Sequence, residues 1–195
     1  FQKIIIEYFR DATVALEAFK SGDYDFRQEN QAKRWANAYN FTAIENGHVK
    51  KESVKHEIPT GMQGFFINTR KEIFKDRVVR KALNYAFDFE WTNKILFFDQ
   101  YKRTASFFSN SDLASSDLPS KEELELLDSF KNQLPNEIFN TIYENPINDG
   151  SGDLRKNLRI ADKLLYDAGW TIKDGKRINK ETGIPLKFTI LLVSP

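Results

Sequence analysis

The chain has no cysteine, one methionine and two histidines in 195 residues. Zero cysteines exclude disulfides, thiolate metal sites and cysteine nucleophiles, and they leave both a reducing and an oxidising compartment open. His48 and His56 sit in a polar stretch near Glu45, Glu52 and Glu57. Neither falls into an HExxH or comparable ligand spacing, so no metal site is expected. A GxSxG elbow and a glycine-rich phosphate loop are also missing, and with no cofactor motif present no catalytic centre is expected. No run approaches the roughly 18 to 20 apolar residues of a spanning helix, and no basic, apolar leader opens the chain. The chain begins at Phe1 rather than Met and stops at Pro195, just after the apolar run 188–193, so both ends read as cut from a longer protein. Neither sign of charge dominates: 29 basic against 28 acidic side chains give a net charge of +1, which offers no footprint for nucleic acid or an anionic membrane.

Apolar side chains make up 41% of the residues and include 17 Phe, 7 Tyr and 3 Trp, enough for a packed core. Ile4 to Ile6 reads as a strand. Asp11, a good N-cap, precedes Ala12, Leu16, Ala18 and Phe19, and Ser21-Gly22 ends that amphipathic helix. Tyr24 and Phe26 alternate with Asp23 and Asp25, the period of a half-buried strand. A second helix is expected from about Asn30, carrying Trp35 and Tyr39. Pro59-Thr60-Gly61 then interrupts any regular element and marks a segment boundary. Phe65 to Ile67 reads as a buried strand and Asn68 to Lys71 as its turn. Val78, Val79, Ala82, Leu83, Ala86 and Phe87 recur at helical spacing behind Asp76 as N-cap, the clearest helix in the chain. A polar loop over 106–120 precedes an acidic helix over 121–130. Another loop, 145–152, precedes a helix carrying Leu154, Leu158, Ala161, Leu164 and Leu165, stopped by Gly169. Asp174-Gly175 marks a tight hairpin turn, and a final strand follows Pro185. No internal repeat is present.

Several of these stretches resemble the peptide-binding family of bacterial extracellular solute-binding proteins, family 5. The run Asp11 to Asp25 has the family's order of an aspartate, an amphipathic helix, then a small residue, glycine, an acid, an apolar residue and aspartate. Phe66 to Arg70 followed by Phe74 to Asp88 is similar to its signature of a strand ending in Asn, then a helix with paired arginines closing on aspartate. Ala161 to Trp170, with the Asp174-Gly175 hairpin and Gly183 to Leu186, resembles the helix and hairpin that follow. Gly61 to Gly64, Phe87 to Asn93 and Gln100 to Thr104 point to a subgroup of oligopeptide and microcin C type binding proteins.

The resemblance implies an α/β chain of the periplasmic binding protein type II-like two-lobed fold, closing on ligand by a hinge. The chain is expected to cover the end of one lobe, 1–58, an interlobe crossing segment, 59–64, and the start of the other lobe, 65–195. The implied role is the substrate-binding component of an ABC importer, not an enzyme. It captures oligopeptides or peptide-like ligands in the periplasm as a monomer, its signal peptide outside these residues, and delivers them to the permease in the inner membrane. A hydrolase with paired acids and the ligand-sensing domain of a regulator are the alternatives.

A peptide receptor needs acceptors for an amine, donors for a carboxylate, and amide groups for the peptide main chain. The turn Arg27, Gln28, Glu29, Asn30 supplies these where the resemblance places a cleft wall, against the plain reading of a solvated strand end. Met62 and Gln63, between Gly61 and Gly64, suit a hinge beside a ligand, against an ordinary loop. Gln28, Glu29, Met62 and Gln63 are therefore the expected ligand contacts, and replacing Glu29 is expected to leave stability near the parent's. Asp88, Glu90 and Trp91, at a helix end, offer groups for ligand contact, but the reading preferred is a capped helix packing its Trp in the core. Arg77 and Arg80 read as salt-bridge partners, because cations are disfavoured at a helix N-terminus.

Overall fold

The computed structural model describes residues 2–192. The chain divides into two compact units, one running to His56 together with Ile95–Gln100, the other comprising Glu57–Lys94 and the chain from Tyr101 onward. Among the described residues no helix is long and apolar enough to cross a membrane.

In the first unit, helix α1 (Ala12–Ser21) is held at its start by Asp11, whose Oδ1 accepts from the backbone N–H of Thr13 at 2.7 Å and of Val14 at 3.0 Å. It ends at Gly22, in the left-handed region at φ 83°, a conformation that a Cβ would penalise. Ala15 and Leu16 are its buried face. Helices α2 (Ala32–Asn37) and α3 (Thr42–Glu45) are short. An aromatic cluster substitutes for a larger aliphatic core. Phe19 lies 5.4 Å from Tyr24 and 6.4 Å from both Tyr39 and Phe41, ring centre to ring centre, and Phe9 adds a contact with Tyr24 at 5.7 Å.

The second unit is built on α5 (Arg77–Tyr85) packed against α9 (Arg155–Asp167), with α4 (Glu72–Lys75) ahead of α5. Asp76 caps α5 by accepting from Val78 N–H at 2.7 Å. Arg80 donates to the last carbonyls of α4, Phe74 O at 2.6 Å and Lys75 O at 2.9 Å, while Arg77 pairs with Glu137 at the surface. Ile73, Phe74, Val79, Ala82, Ala161, Leu165 and Trp170 form the core. Further elements are α6 (Phe89–Leu96), of which the part up to Lys94 belongs to this unit, α7 (Lys121–Leu127) with a Ser120/Glu123 capping box, a 3₁₀ turn over Asp128–Gln133, and α8 (Glu137–Asn140). Strands β1 (Trp170–Lys173) and β2 (Lys176–Asn179) pair antiparallel, Thr171 opposite Ile178, across Asp174 and Gly175. Both turn residues have positive φ, 50° and 71°, as a two-residue type I′ turn requires.

The chain is thus mixed helix and sheet, but four expected strands are not formed among the described residues. Residues 4–6, 24–26, 65–67 and 188–192 are extended or irregular without a ladder partner, and Val193 of the last lies outside the described residues. The apolar pattern of each is genuine; a strand also needs a neighbour about 4.8 Å away to take its N–H and C=O groups, and among the described residues the hairpin alone has a full ladder, with a single bridge from Ile178 to Pro185 beside it. Phe66 is 79% exposed, whereas Ile67 and Leu186 pack on the core. The second helix begins at Ala32 and carries Trp35 but ends before Tyr39, and the acidic helix gives way to 3₁₀ geometry after Leu127.

Leu165 is 9% exposed and Leu158, on the same helix, 46%. Leu165→Ala is expected to lower the unfolding free energy by about 2 to 5 kcal/mol, and Leu158→Ala by about 0.5 kcal/mol or less, in urea titrations. Equal losses at both positions would contradict the assignment of the α5–α9 core.

Candidate ligand-binding site

The turn after Asp25 is shaped by one polar cluster. Tyr24, fixed between aromatic rings, donates its hydroxyl to Ala15 O at 2.6 Å and accepts from Arg27 Nη1 at 3.0 Å. Arg27 Nε donates to the Tyr39 hydroxyl at 3.0 Å and Nη2 to Glu29 Oε2 at 3.3 Å. Glu29 also accepts from Tyr39 Oη at 2.9 Å and from Gln31 N–H at 3.0 Å. Burial alone would push the Glu29 carboxyl up; the hydrogen bonds from Gln31, Tyr39 and Arg27 outweigh it and hold the carboxyl below its usual range. Burial likewise opposes the charge on Arg27, and hydrogen bonds to Tyr24 and Tyr39 more than restore it.

These contacts separate the sequence-expected residues. The Glu29 side chain is only 4% exposed and its carboxylate is shared among three donors, so it holds the turn in shape. The expectation that Glu29 can be replaced without loss of stability does not fit this geometry. Gln28 is exposed, its amide carried on a turn that the Arg27–Glu29–Tyr39 cluster fixes.

In the second unit, Met62 and Gln63 lie in a segment without regular structure. Met62 is 38% exposed and Gln63 is exposed. The segment is anchored just upstream, where Thr60 N–H donates to Ser109 O at 2.9 Å and Asn110 Nδ2 donates to Ile58 O at 2.8 Å. The loop around Ser109 is itself pinned by Ser106, whose Oγ accepts from Phe108 N–H and Ser115 N–H, each at 3.2 Å. Sequence reading missed this partnership, since the two stretches are about fifty residues apart and both merely look polar.

A second network, also missed, joins the end of α5 to two loops. Arg103 Nη1 donates to Pro146 O and Nη2 to Asn84 Oδ1, both at 2.6 Å. Asn84 Nδ2 donates to the Tyr143 hydroxyl at 3.3 Å, and Asn145 Nδ2 to Thr104 O at 3.0 Å. Asp88 caps α6 through Trp91 N–H at 3.0 Å and also accepts from Asn148 Nδ2. Trp91 is not in the core as expected: it is 38% exposed and stands against Gly152, whose φ of 85° and nearness to the indole suit glycine alone. Among the described residues no group of three or more His, Asp and Glu side chains is placed to hold a metal.

The sequence model of the family described as Bacterial extracellular solute-binding proteins, family 5 Middle, matches residues 1–195. The chain is 43% identical over 192 residues to a protein of Escherichia coli K12 named Uncharacterized protein YejA, covering 98% of this chain and 32% of that protein. It is 43% identical over 196 residues to the Probable peptide-binding protein YejA of Agrobacterium fabrum C58, covering 100% of this chain and 32% of that one. A more distant relative in the same organism, Peptidoglycan-binding protein YepA, is 37% identical over 203 residues, 100% of this chain and 33% of its own length. The chain therefore spans about a third of the length of the relatives it matches.

Because the folded-state pKa of Glu29 is depressed, its stabilising contribution is complete above the ordinary value of 4.5 and is lost as pH falls through the folded value. At neutral pH, Glu29→Gln is expected to cost about 1 to 3 kcal/mol. Melting temperatures followed from neutral to acid pH should converge for parent and variant well below pH 4.5. A constant offset at all pH values would show that the charge contributes nothing.

Proposed function

The chain belongs to the bacterial extracellular solute-binding proteins of family 5, and from that membership we propose that it serves an ABC importer as the component that captures oligopeptides in the periplasm and delivers them to the membrane permease. The observation that carries this reading is the match over the entire chain to the family and, at 43% identity, to a protein named as a probable peptide-binding protein. Residues 1–58 then form the end of the first lobe, 59–64 cross between lobes, and 65–195 begin the second. The ligand lies against Gln28 and against Met62 and Gln63, whose amides and thioether are exposed on anchored segments, while Glu29 positions the Gln28 turn. An amide presents both a donor and an acceptor, which is what a peptide main chain requires at each residue. The name of the more distant relative favours a second ligand of related chemistry, a peptide-bearing fragment of peptidoglycan.

Removing a hydrogen-bond partner from a closed, water-poor cleft costs about 1 to 3 kcal/mol, roughly five- to 150-fold in affinity. In calorimetry on the full-length protein, Gln63→Ala and Gln28→Ala are expected to weaken oligopeptide binding by that range with unchanged melting temperature. Affinities equal to the parent's would remove these positions from the site. Binding of a peptidoglycan fragment alone, with no oligopeptide bound, would select the second ligand.

A further inference from the structure

Arg103 is a half-buried cation that forms no salt bridge among the described residues. Its guanidinium carbon lies 5.5 Å from the ring centre of Phe87 and 5.8 Å from that of Phe89. Its hydrogen-bond acceptors among the described residues are all neutral: Pro146 O, Asn84 Oδ1 and, at 3.5 Å, Asn84 O. The Asn84 carbonyl belongs to the last turn of α5, so the helix dipole offsets part of the charge. Among the described residues no carboxylate comes within ion-pair distance. Glu90 acts on Arg103 only through its field and accepts from Asn148 N–H at 3.2 Å. Burial disfavours the charged guanidinium more than Glu90 and Tyr143 favour it. The Nε–H and one Nη1–H have no acceptor among the described residues.

The position matters as much as the charge. Phe65, two residues beyond Gln63, stacks edge-on against Phe87 at 6.3 Å, and Phe87 lies under Arg103. Arg103 therefore stands one aromatic ring away from the chain that leaves Met62–Gly64. Its own loop runs on to Ser109 and Asn110, which are bonded to Thr60 and Ile58. A cation withdrawn from water, braced by aromatic faces and neutral carbonyls, attracts an anion more strongly than a solvated lysine does.

We propose that Arg103 binds a carboxylate of the bound peptide, with Phe87 and Phe89 fixing the guanidinium plane and Asn84 and Pro146 orienting it. The inference rests on the peptide reading above. The carboxylate is either the C-terminal one or that of an acidic side chain, and recognition of either is a charge-assisted hydrogen bond.

The test is calorimetry on the full-length protein with short peptides of one sequence. One pair has a free or an amidated C-terminus; the other carries Glu or Gln within the chain. The parent is expected to bind the acidic member of one pair roughly ten- to a hundredfold more tightly than its neutral partner, and the pair showing the preference identifies the source of the carboxylate. Arg103→Gln is expected to bind both members alike, at the parent's affinity for the neutral peptide, and Arg103→Lys to keep part of the preference. Since Arg103→Gln also removes loop contacts, its fold is checked by circular dichroism; if it does not fold, the parent's own acid-to-neutral comparison and Arg103→Lys decide. Equal affinities within both pairs for the parent, or an undiminished preference in folded Arg103→Gln, would overturn the role of Arg103 while leaving peptide binding intact. A parent that binds none of the peptides would overturn the peptide reading and this inference with it.

Discussion

Val79 is completely shielded from solvent because α5 and α9 approach each other with alanines, Ala82 and Ala161, at the contact. Small side chains let two helices pack closely, and the larger neighbours Phe74, Leu165 and Trp170 then close around the seam. The other parts of the second unit take their places from this contact. The hairpin is attached through Trp170, Ile67 and Leu186 lie on the same core, and the far end of α5 presents Asn84 to Arg103. A disturbance of the seam would thus be felt at the polar network through a helix that is only nine residues long.

Polar side chains in this chain fall into two groups according to whether their hydrogen-bonding capacity is used internally. Glu29, Arg27, Tyr24 and Tyr39 satisfy one another, as do Asp88 and Asn148, and such groups confer shape. Gln28 is carried on a turn shaped by the first of these clusters and Gln63 on a segment anchored by the Thr60–Ser109 and Asn110–Ile58 hydrogen bonds, and both remain exposed. A binding surface needs both kinds, since an exposed amide on a slack loop would lose much of its interaction energy in being ordered. The same division applies to Arg103, which uses part of its donor set to fix loops and keeps the rest.

The extended apolar segments follow a related rule about main-chain groups. Ile4 to Ile6, Phe65 to Ile67 and Phe188 to Leu192 have the composition of strands, and the latter two already pack on the core and on α4 through Ile67 and Phe188. Composition favours the extended conformation; only a neighbour turns it into a sheet. The relatives are about three times as long as this chain, and ladders of this kind are long-range by nature.

What the sequence by itself determined is local. Asp11 and Asp76 as caps, Gly22 as a stop, the helical spacing around Val79, and the Asp174-Gly175 turn all follow from interactions within a few residues, and the family signature is written in the same local words. Tertiary structure alone decided which polar residues are spent. Glu29 and Gln28 are adjacent and looked equivalent, yet Tyr39, ten residues on, engages one and not the other. Arg103 was one cation among 29 basic residues until folding set it between Phe87 and Phe89 and against Asn84 and Pro146, nineteen and forty-three residues away. Such pairings depend on where helices α5 and α6 and the loops around them come to rest, and no periodicity in the chain encodes that separation.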